Sequence, residues 1–247
     1  MFVAATTRCF SDMPFDEACF QISELEFDKF EIWLNDESDH LKATEVAADP
    51  ERFYARLREK TRLTPVGLYI EHDVPLPVLA ALSKLAKTMR VTQITLPASP
   101  LGTPFNTEID RLRSFVTTTS QDGIRLSIRT ETGRLTEDPH TAVELCQSVR
   151  GLGLTLDPSY YICGPNRGKS YDQVFPFTYH THLRDTTPDQ LQVPVGLGEI
   201  DYSRLIGMLA RQNYQRALSV DILPANMDLA ARQLEMRKLR MLLDTLL

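Results

Sequence analysis

The chain has no cysteine pair at CxxC spacing. Its four cysteines, Cys9, Cys19, Cys146 and Cys163, are scattered, which removes the common zinc and dithiol frameworks and reads as reduced, small apolar side chains of a cytoplasmic protein. Positive charge is also short, with 27 Lys and Arg against 33 Asp and Glu and a net charge of −6. A general nucleic-acid binder, which needs a basic surface to draw phosphates, is therefore not expected. No window approaches the ~18 uncharged apolar residues of a membrane span. The opening MFVAATTRCFSDMPF has neither the basic start nor the apolar core of a secretory leader, so no membrane partner is expected and the protein is placed in the cytoplasm. A Gly-x-Gly-x-x-Gly after the first strand is missing, which weakens a dinucleotide-binding fold. Linkers, low-complexity tracts and short-period repeats are missing too, so residues 1–247 are read as one domain.

What is present is a 43% apolar content over 247 residues, enough for a large core, and a steady alternation of strand and helix patterns. Strands are predicted at Phe2–Thr7, Phe30–Leu34, Pro65–His72, Val91–Pro97, Ile124–Thr130, Leu152–Asp157, Tyr179–Leu183 and Ala217–Ile222. Helices are predicted near Phe15–Leu25, Pro50–Lys60, Pro75–Thr88, Asn106–Thr118, Pro139–Val149, Tyr202–Gln212 and Met227–Leu246. Asp49-Pro50, Asp138-Pro139 and Asp201 each offer a capping side chain where a helix begins. Eight strands separated by helices in this length fit an α/β fold of the (β/α)8 TIM-barrel type better than an open sheet. The stretch CGPNRGKSYDQVFPF between strands six and seven is expected to be a loop on the site side. Its Arg167 and Lys169 are candidates for an anion, although solvated charges are the plainer reading. The last segment, MDLAARQLEMRKLRMLLDTLL, is spaced as an amphipathic helix. It is expected to pack on the barrel as its eighth helix, with a homodimer contact through surplus Leu and Met as the alternative.

Side chains alternate across a strand, so the apolar set names the outer face and leaves the polar set inside. By that rule Arg129 and Glu131, Asp157, His180 with His182 and Arg184, and Asp221 point into the barrel, and Glu31 and Trp33 share one face of the second strand. Several strands thus deliver a polar group toward one rim. Such convergence is how a barrel builds a site at its carboxyl end.

At these residues the chain resembles the xylose isomerase-like TIM barrels, the superfamily of sugar phosphate isomerases and epimerases that also includes endonuclease IV-type enzymes. CFSDMPFDEACFQISELEFDKFEIW resembles the first βα unit leading to "gfdgvElw", with Glu31 at the acidic position. LSIRTETGRLTEDPHTAVEL resembles the fifth-strand motif, LGLTLDPSYY the sixth-strand "glclDtgH", THLRD the seventh-strand "vHlkD", and GLGEIDYSRLIGMLARQNYQRALSVDI the ending of the family. The resemblance implies a Glu, Asp, His and Glu from strands five to eight around one divalent metal, Mn, Mg or Zn, with the two glutamates moving a proton. Carried over residue by residue, Asp157 and His182 match, Asp221 is one methylene shorter than the last Glu, Tyr160 replaces a His, and Arg129 replaces the first Glu.

Arg129 decides the reading of the metal. At an effective dielectric near 20, a like unit charge about 4 Å away costs roughly 4 kcal/mol, and a dication about twice that. Arginine cannot escape by titration, so no tightly bound metal is expected, and a pair between Arg129 and either Glu131 or Asp157 is expected instead. Two functions follow. In the first, proton transfer occurs next to a carbonyl of a sugar or polyol, with Asp221, Glu131 and Arg129 as the catalytic set, Glu31, Trp33, His180 and Arg184 as the substrate-binding set, and Asp157, His182 and Asp221 as the metal set. In the second, a non-catalytic barrel binds an anionic sugar-like ligand through its arginines. Metal-dependent DNA repair is weaker than both, because the extra histidines of that subfamily are missing.

Overall fold

The structure is a computed structural model and describes residues 1–225 and 227–247. Eight parallel strands close into a barrel in chain order. They are β1 Phe2–Thr6, β2 Lys29–Leu34, β3 Thr64–Ile70, β4 Gln93–Pro97, β5 Arg125–Arg129, β6 Leu152–Leu156, β7 Thr178–Leu183 and β8 Ala217–Val220. The helices are α1 Phe15–Glu24, α2 Ala43–Ala48, α3 Pro50–Lys60, α4 Leu76–Thr88, α5 Phe105–Ser120, α6 Pro139–Ser148, α7 Ser159–Ile162, α8 Tyr202–Arg211 and α9 Leu229–Leu246. Among the described residues no helix is long and apolar enough to cross a membrane.

The expected caps are in place. Asp49 accepts from the N–H of Arg52, Asp138 from that of Thr141 and Asp201 from that of Arg204, at 2.9–3.1 Å. Each satisfies an orphan donor of the first turn and is worth about 1 kcal/mol. The outer faces of the strands carry the apolar sets read from alternation: Leu126, Ile128, Leu152, Leu154, Leu156, Leu218 and Val220 are all buried against the helices. Inside the barrel, hydroxyls fill one side of the floor, where Ser127 lies 2.6 Å from Thr155 and Thr155 lies 2.8 Å from Thr95.

One element differs from expectation, and the weak link between strands six and seven is the loop expected. The six-residue α2 was not foreseen, being too short to show a helical period. Between β6 and β7 the chain forms only α7 and a 3-10 turn over Asp172–Phe177, because Pro158, Pro176 and the intervening glycines deny it a long helix. The last helix packs on β1 and β8, burying Met236, Leu239 and Leu243. Arg232 pins it there by donating to Cys9 O at 2.8 Å and to both oxygens of Asp12 at 2.6 and 2.9 Å. Leu234 and Met241 on the same helix stay more than half exposed.

Candidate functional site

The carboxyl ends of the strands carry an unbroken alternating chain of charged side chains. Asp157 follows β6, Arg184 follows β7, Asp221 follows β8, Arg8 lies just past β1, Glu71 just past β3, Arg129 ends β5 and Glu131 is two residues on. Arg184 Nη2 donates to Asp157 at 2.5 Å and to Asp221 at 2.7 Å. Arg8 donates to Asp221 at 3.2 Å and to Glu71 at 3.3 Å. Arg129 donates to Glu71 at 3.2 and 3.4 Å and to Glu131 at 2.6 Å. The buried Trp33 indole N–H donates to Glu71 at 2.8 Å.

Burial differs among these side chains, Arg129 being only 1% exposed. Asp157, Arg184 and Asp221 are fully buried, whereas the side chains of Glu71 and Glu131 are 14% and 18% exposed. Burial alone would push the Asp221 carboxyl up, but the Arg184 and Arg8 cations outweigh it and hold the group below the usual carboxylate range. The second oxygen of Asp157 accepts from the Ser159 N–H at 3.0 Å and from its hydroxyl. Asp157 is therefore both a turn cap and an ion-pair partner.

A second buried group lies next to this chain. Glu31 sits between His180 Nε2 at 3.1 Å and His182 Nε2 at 2.8 Å, and Ser219 Oγ is 3.0 Å from His180 Nε2. Gly67 faces Glu31 across the β2–β3 pair, where a Cβ would come within 3.3 Å of the carboxylate. Burial opposes the charge on Glu31, yet the two histidines hold its carboxyl well below the ordinary range. Tyr69 joins the two groups, its ring centroid 4.7 Å from that of His182 and 4.9 Å from the Arg129 guanidinium.

Metal binding can be tested against both groups. In the inherited set, Arg184 Nη2 stands at bonding distance from Asp157 and Asp221 together, where an ion bridging them would have to sit. Arg129 adds a further cation beside Glu71, and His182 gives its Nε2 to Glu31 instead. A divalent ion does not fit those residues. Glu31, His180 and His182 do bring three ligand atoms within 4.8 Å of one another. Metal ligation through His182 Nε2 would force its proton onto Nδ1, a buried atom with no partner among the described residues. Ligating histidines ordinarily give that second N–H an acceptor, so a proton shared with Glu31 suits this group better than a metal.

The candidate residues are thus distributed as follows. Arg129 and Glu131 form the pair expected from their two-residue spacing. Asp157 and Asp221 come together, but through Arg184, which the sequence had placed among ligand-binding residues. Glu31 and His180 belong to the buried inner group, while Trp33, itself buried, reaches the charged chain through Glu71. Tyr160 offers its ring to Arg184, 5.6 Å from the guanidinium. On the following loop, Arg167 is paired with Asp189 at 3.0 Å and Lys169 with Asn166 at 2.7 Å, on the wall of a 610 Å³ surface cavity. Arg8, Glu71 and Tyr69 were not anticipated. The period-two rule that named the other residues would have found Tyr69 and Glu71, since Leu68 and Ile70 face outward between them.

Residues 20–240 match the family described as Xylose isomerase-like TIM barrel. No curated protein matches the sequence. Among solved structures, the chain is similar to the probable 3-DHS dehydratase AsbF involved in petrobactin synthesis from Bacillus anthracis, at 17% identity and a TM-score of 0.73 over 97% of this chain and 98% of that one. It is similar to a xylose isomerase-like TIM barrel protein from Mycobacterium smegmatis in complex with magnesium, at 17% identity and a TM-score of 0.75 over 99% and 97%. A D-allulose 3-epimerase from Methylomonas sp. in complex with D-allulose aligns at 10% identity and a TM-score of 0.68 over 97% of each chain. At these identities the likeness is one of fold.

Proposed function

Taking as premise that the chain belongs to the xylose isomerase-like TIM-barrel family, we propose that it binds a small anionic sugar derivative at the carboxyl-terminal mouth and does so without a divalent metal. The observation that carries this is the environment of Glu71. Its carboxylate is held by two guanidiniums, Arg8 and Arg129, and by the Trp33 indole N–H, a ready-made receptor for a carboxylate or phosphate. Glu71 lies at the exposed end of the chain, so a ligand anion can take its place while Glu71 turns to water. Sugar character is the family's contribution, since one relative by fold was solved with D-allulose. Residues 1–247 act as one domain in this proposal.

Proton transfer next to a carbonyl is the second reading. It is favoured by Glu131, a partly exposed carboxylate 2.6 Å from Arg129, which pairs a base with a cation able to stabilise an enediolate. Asp221 is the weaker base of the two, because its carboxyl is held low and a general base works best with a pKa near the operating pH.

Calorimetry with D-gluconate, in EDTA and in Mn²⁺, separates these possibilities. Binding that is equal in both media and lost in Arg129→Glu is the expected result. Tight Mn²⁺ binding by the unmodified protein would overturn metal independence. Exchange of solvent deuterium into a keto-sugar from a broad panel, lost in Glu131→Gln, would replace binding by catalysis.

A further inference from the structure

The opposite, amino-terminal end of the barrel holds a cavity of about 410 Å³ whose lining includes Gln93, Arg125, Tyr179, His180 and Arg216. Barrel floors of this kind ordinarily serve stability, and three features set this one apart. First, the chain carries more acids than bases, yet no carboxylate lines the cavity, and neither Arg125 nor Arg216 has an ion-pair partner among the described residues. Second, Arg216 is held rigidly. Its guanidinium lies 5.0 Å from the Tyr179 ring centroid and 5.9 Å from that of Tyr214, and it donates to Tyr179 O at 3.3 Å. Burial and then the charge of Arg125 both lower the Arg216 pKa, so its cation is uncompensated where it stands. Third, Gln93 is 3% exposed, and its amide N–H groups are used on Ile94 O and Ser127 Oγ while its Oε1 is buried with no donor. A buried acceptor left open on a cavity wall fits a donor brought by a ligand.

We infer that this cavity is a binding site for a small phosphate ester bearing a free hydroxyl, with Arg125 and Arg216 on the phosphate and Gln93 Oε1 accepting from the hydroxyl. Two guanidinium forks match a phosphate dianion better than a neutral ligand, and the volume suits a molecule of a few carbons. The site is separate from the mouth. It reaches the inner group through His180, which both lines the cavity and lies 3.1 Å from Glu31.

The test is calorimetric titration of the full chain at low ionic strength with glycerol 3-phosphate, inorganic phosphate and glycerol. Glycerol 3-phosphate is expected to bind more tightly than phosphate, and glycerol not to bind. Arg125→Gln, a change at an exposed side chain that leaves the packing of Arg216 alone, should weaken glycerol 3-phosphate by tenfold or more. Arg125→Glu, which supplies Arg216 with an internal carboxylate, should abolish binding and raise the melting temperature. Arg129→Glu at the mouth should leave it unchanged, so failure here and failure of the mouth reading give different patterns. Unchanged affinity in both Arg125 variants, loss of affinity in Arg129→Glu, or no binding by the unmodified protein would each overturn the inference.

Discussion

Replacing Arg184 by methionine removes the cation that joins the two fully buried carboxylates of the mouth while keeping much of the side chain's length. Breaking a fully buried ion pair from one side costs about 3–5 kcal/mol, because the partner is left charged and desolvated. Here two partners are left, but neither is stripped. Asp157 keeps the Ser159 N–H and hydroxyl, and Asp221 keeps Arg8 at 3.2 Å. The lower end of the range, about 3 kcal/mol at pH 7, is therefore expected. For a chain of this size that lowers the melting temperature by about 6–12 °C.

The pH dependence identifies the cause. In the unmodified protein Asp221 is held below its ordinary value, so its contribution is complete above the unfolded value near 3.9 and is lost as pH falls through the depressed folded value. In the variant, Asp221 lacks the larger of its two cationic partners and takes up a proton more readily, so the variant regains stability relative to the parent as pH falls from 7 toward 4. Urea unfolding of both proteins at pH 7 and pH 4 measures the difference directly. A deficit under about 1 kcal/mol at pH 7, the size expected of an exposed pair, or a deficit that does not narrow in acid, would refute the assignment of Arg184 as the internal counter-ion.

Three further outcomes are expected. Gly153→Ala should destabilise by about 1–3 kcal/mol in thermal or urea unfolding, since a Cβ there would overlap the Tyr179 ring close to its attachment, and a ring root cannot swing aside as a flexible tip can. Asp201→Ala should cost about 1 kcal/mol by removing the acceptor of the Arg204 N–H, with no change at the mouth. Disulfide-exchange labelling of the native protein at pH 8 should find one fast thiol, Cys163, whose loss in Cys163→Ser leaves only slow reaction. Cys9, Cys19 and Cys146 are buried, and burial pushes the last two up to about 12.

The barrel was legible because its signals are local. Each strand shows its outer face by alternation, and each of three helices announces itself with an aspartate that the structure places on the expected N–H. The Arg129–Glu131 pair was legible for the same reason, two residues on one face. What local pattern could not supply was which strand ends meet. Arg184, Asp157 and Asp221 were each recognisable, but their union depends on β6, β7 and β8 lying side by side, and His182 finds Glu31 from 151 positions away across the closed barrel. Arg8 escaped notice because it stands past the end of its strand, where a charge ordinarily faces water. The short α2 escaped because it is not long enough to show a period, whereas the broken segment after β6 was legible from its turn residues.

The charges at the mouth bear on whether a divalent ion could sit there. Four carboxylates there, Glu71, Glu131, Asp157 and Asp221, need a counter-charge, and three guanidiniums provide it in a form that neither titrates nor dissociates. Arg129 is therefore not the only cation at the positions where the family resemblance implies ligands. Restoring a glutamate at position 129 alone would add a fifth acid beside Glu71 and Glu131, and would still leave Arg184 bonded to Asp157 and Asp221 where an ion must sit. Arg129 and Arg184 act on different carboxylates and are linked through Arg8, which touches one from each end of the chain. Arg129 and Arg184 thus oppose an ion at two points, and Arg184 and Arg8 hold the Asp221 carboxyl below the usual carboxylate range, which weakens it as a base. Binding chemistry gains from this arrangement, since fixed cations need no cofactor supply, and proton-transfer chemistry loses from it.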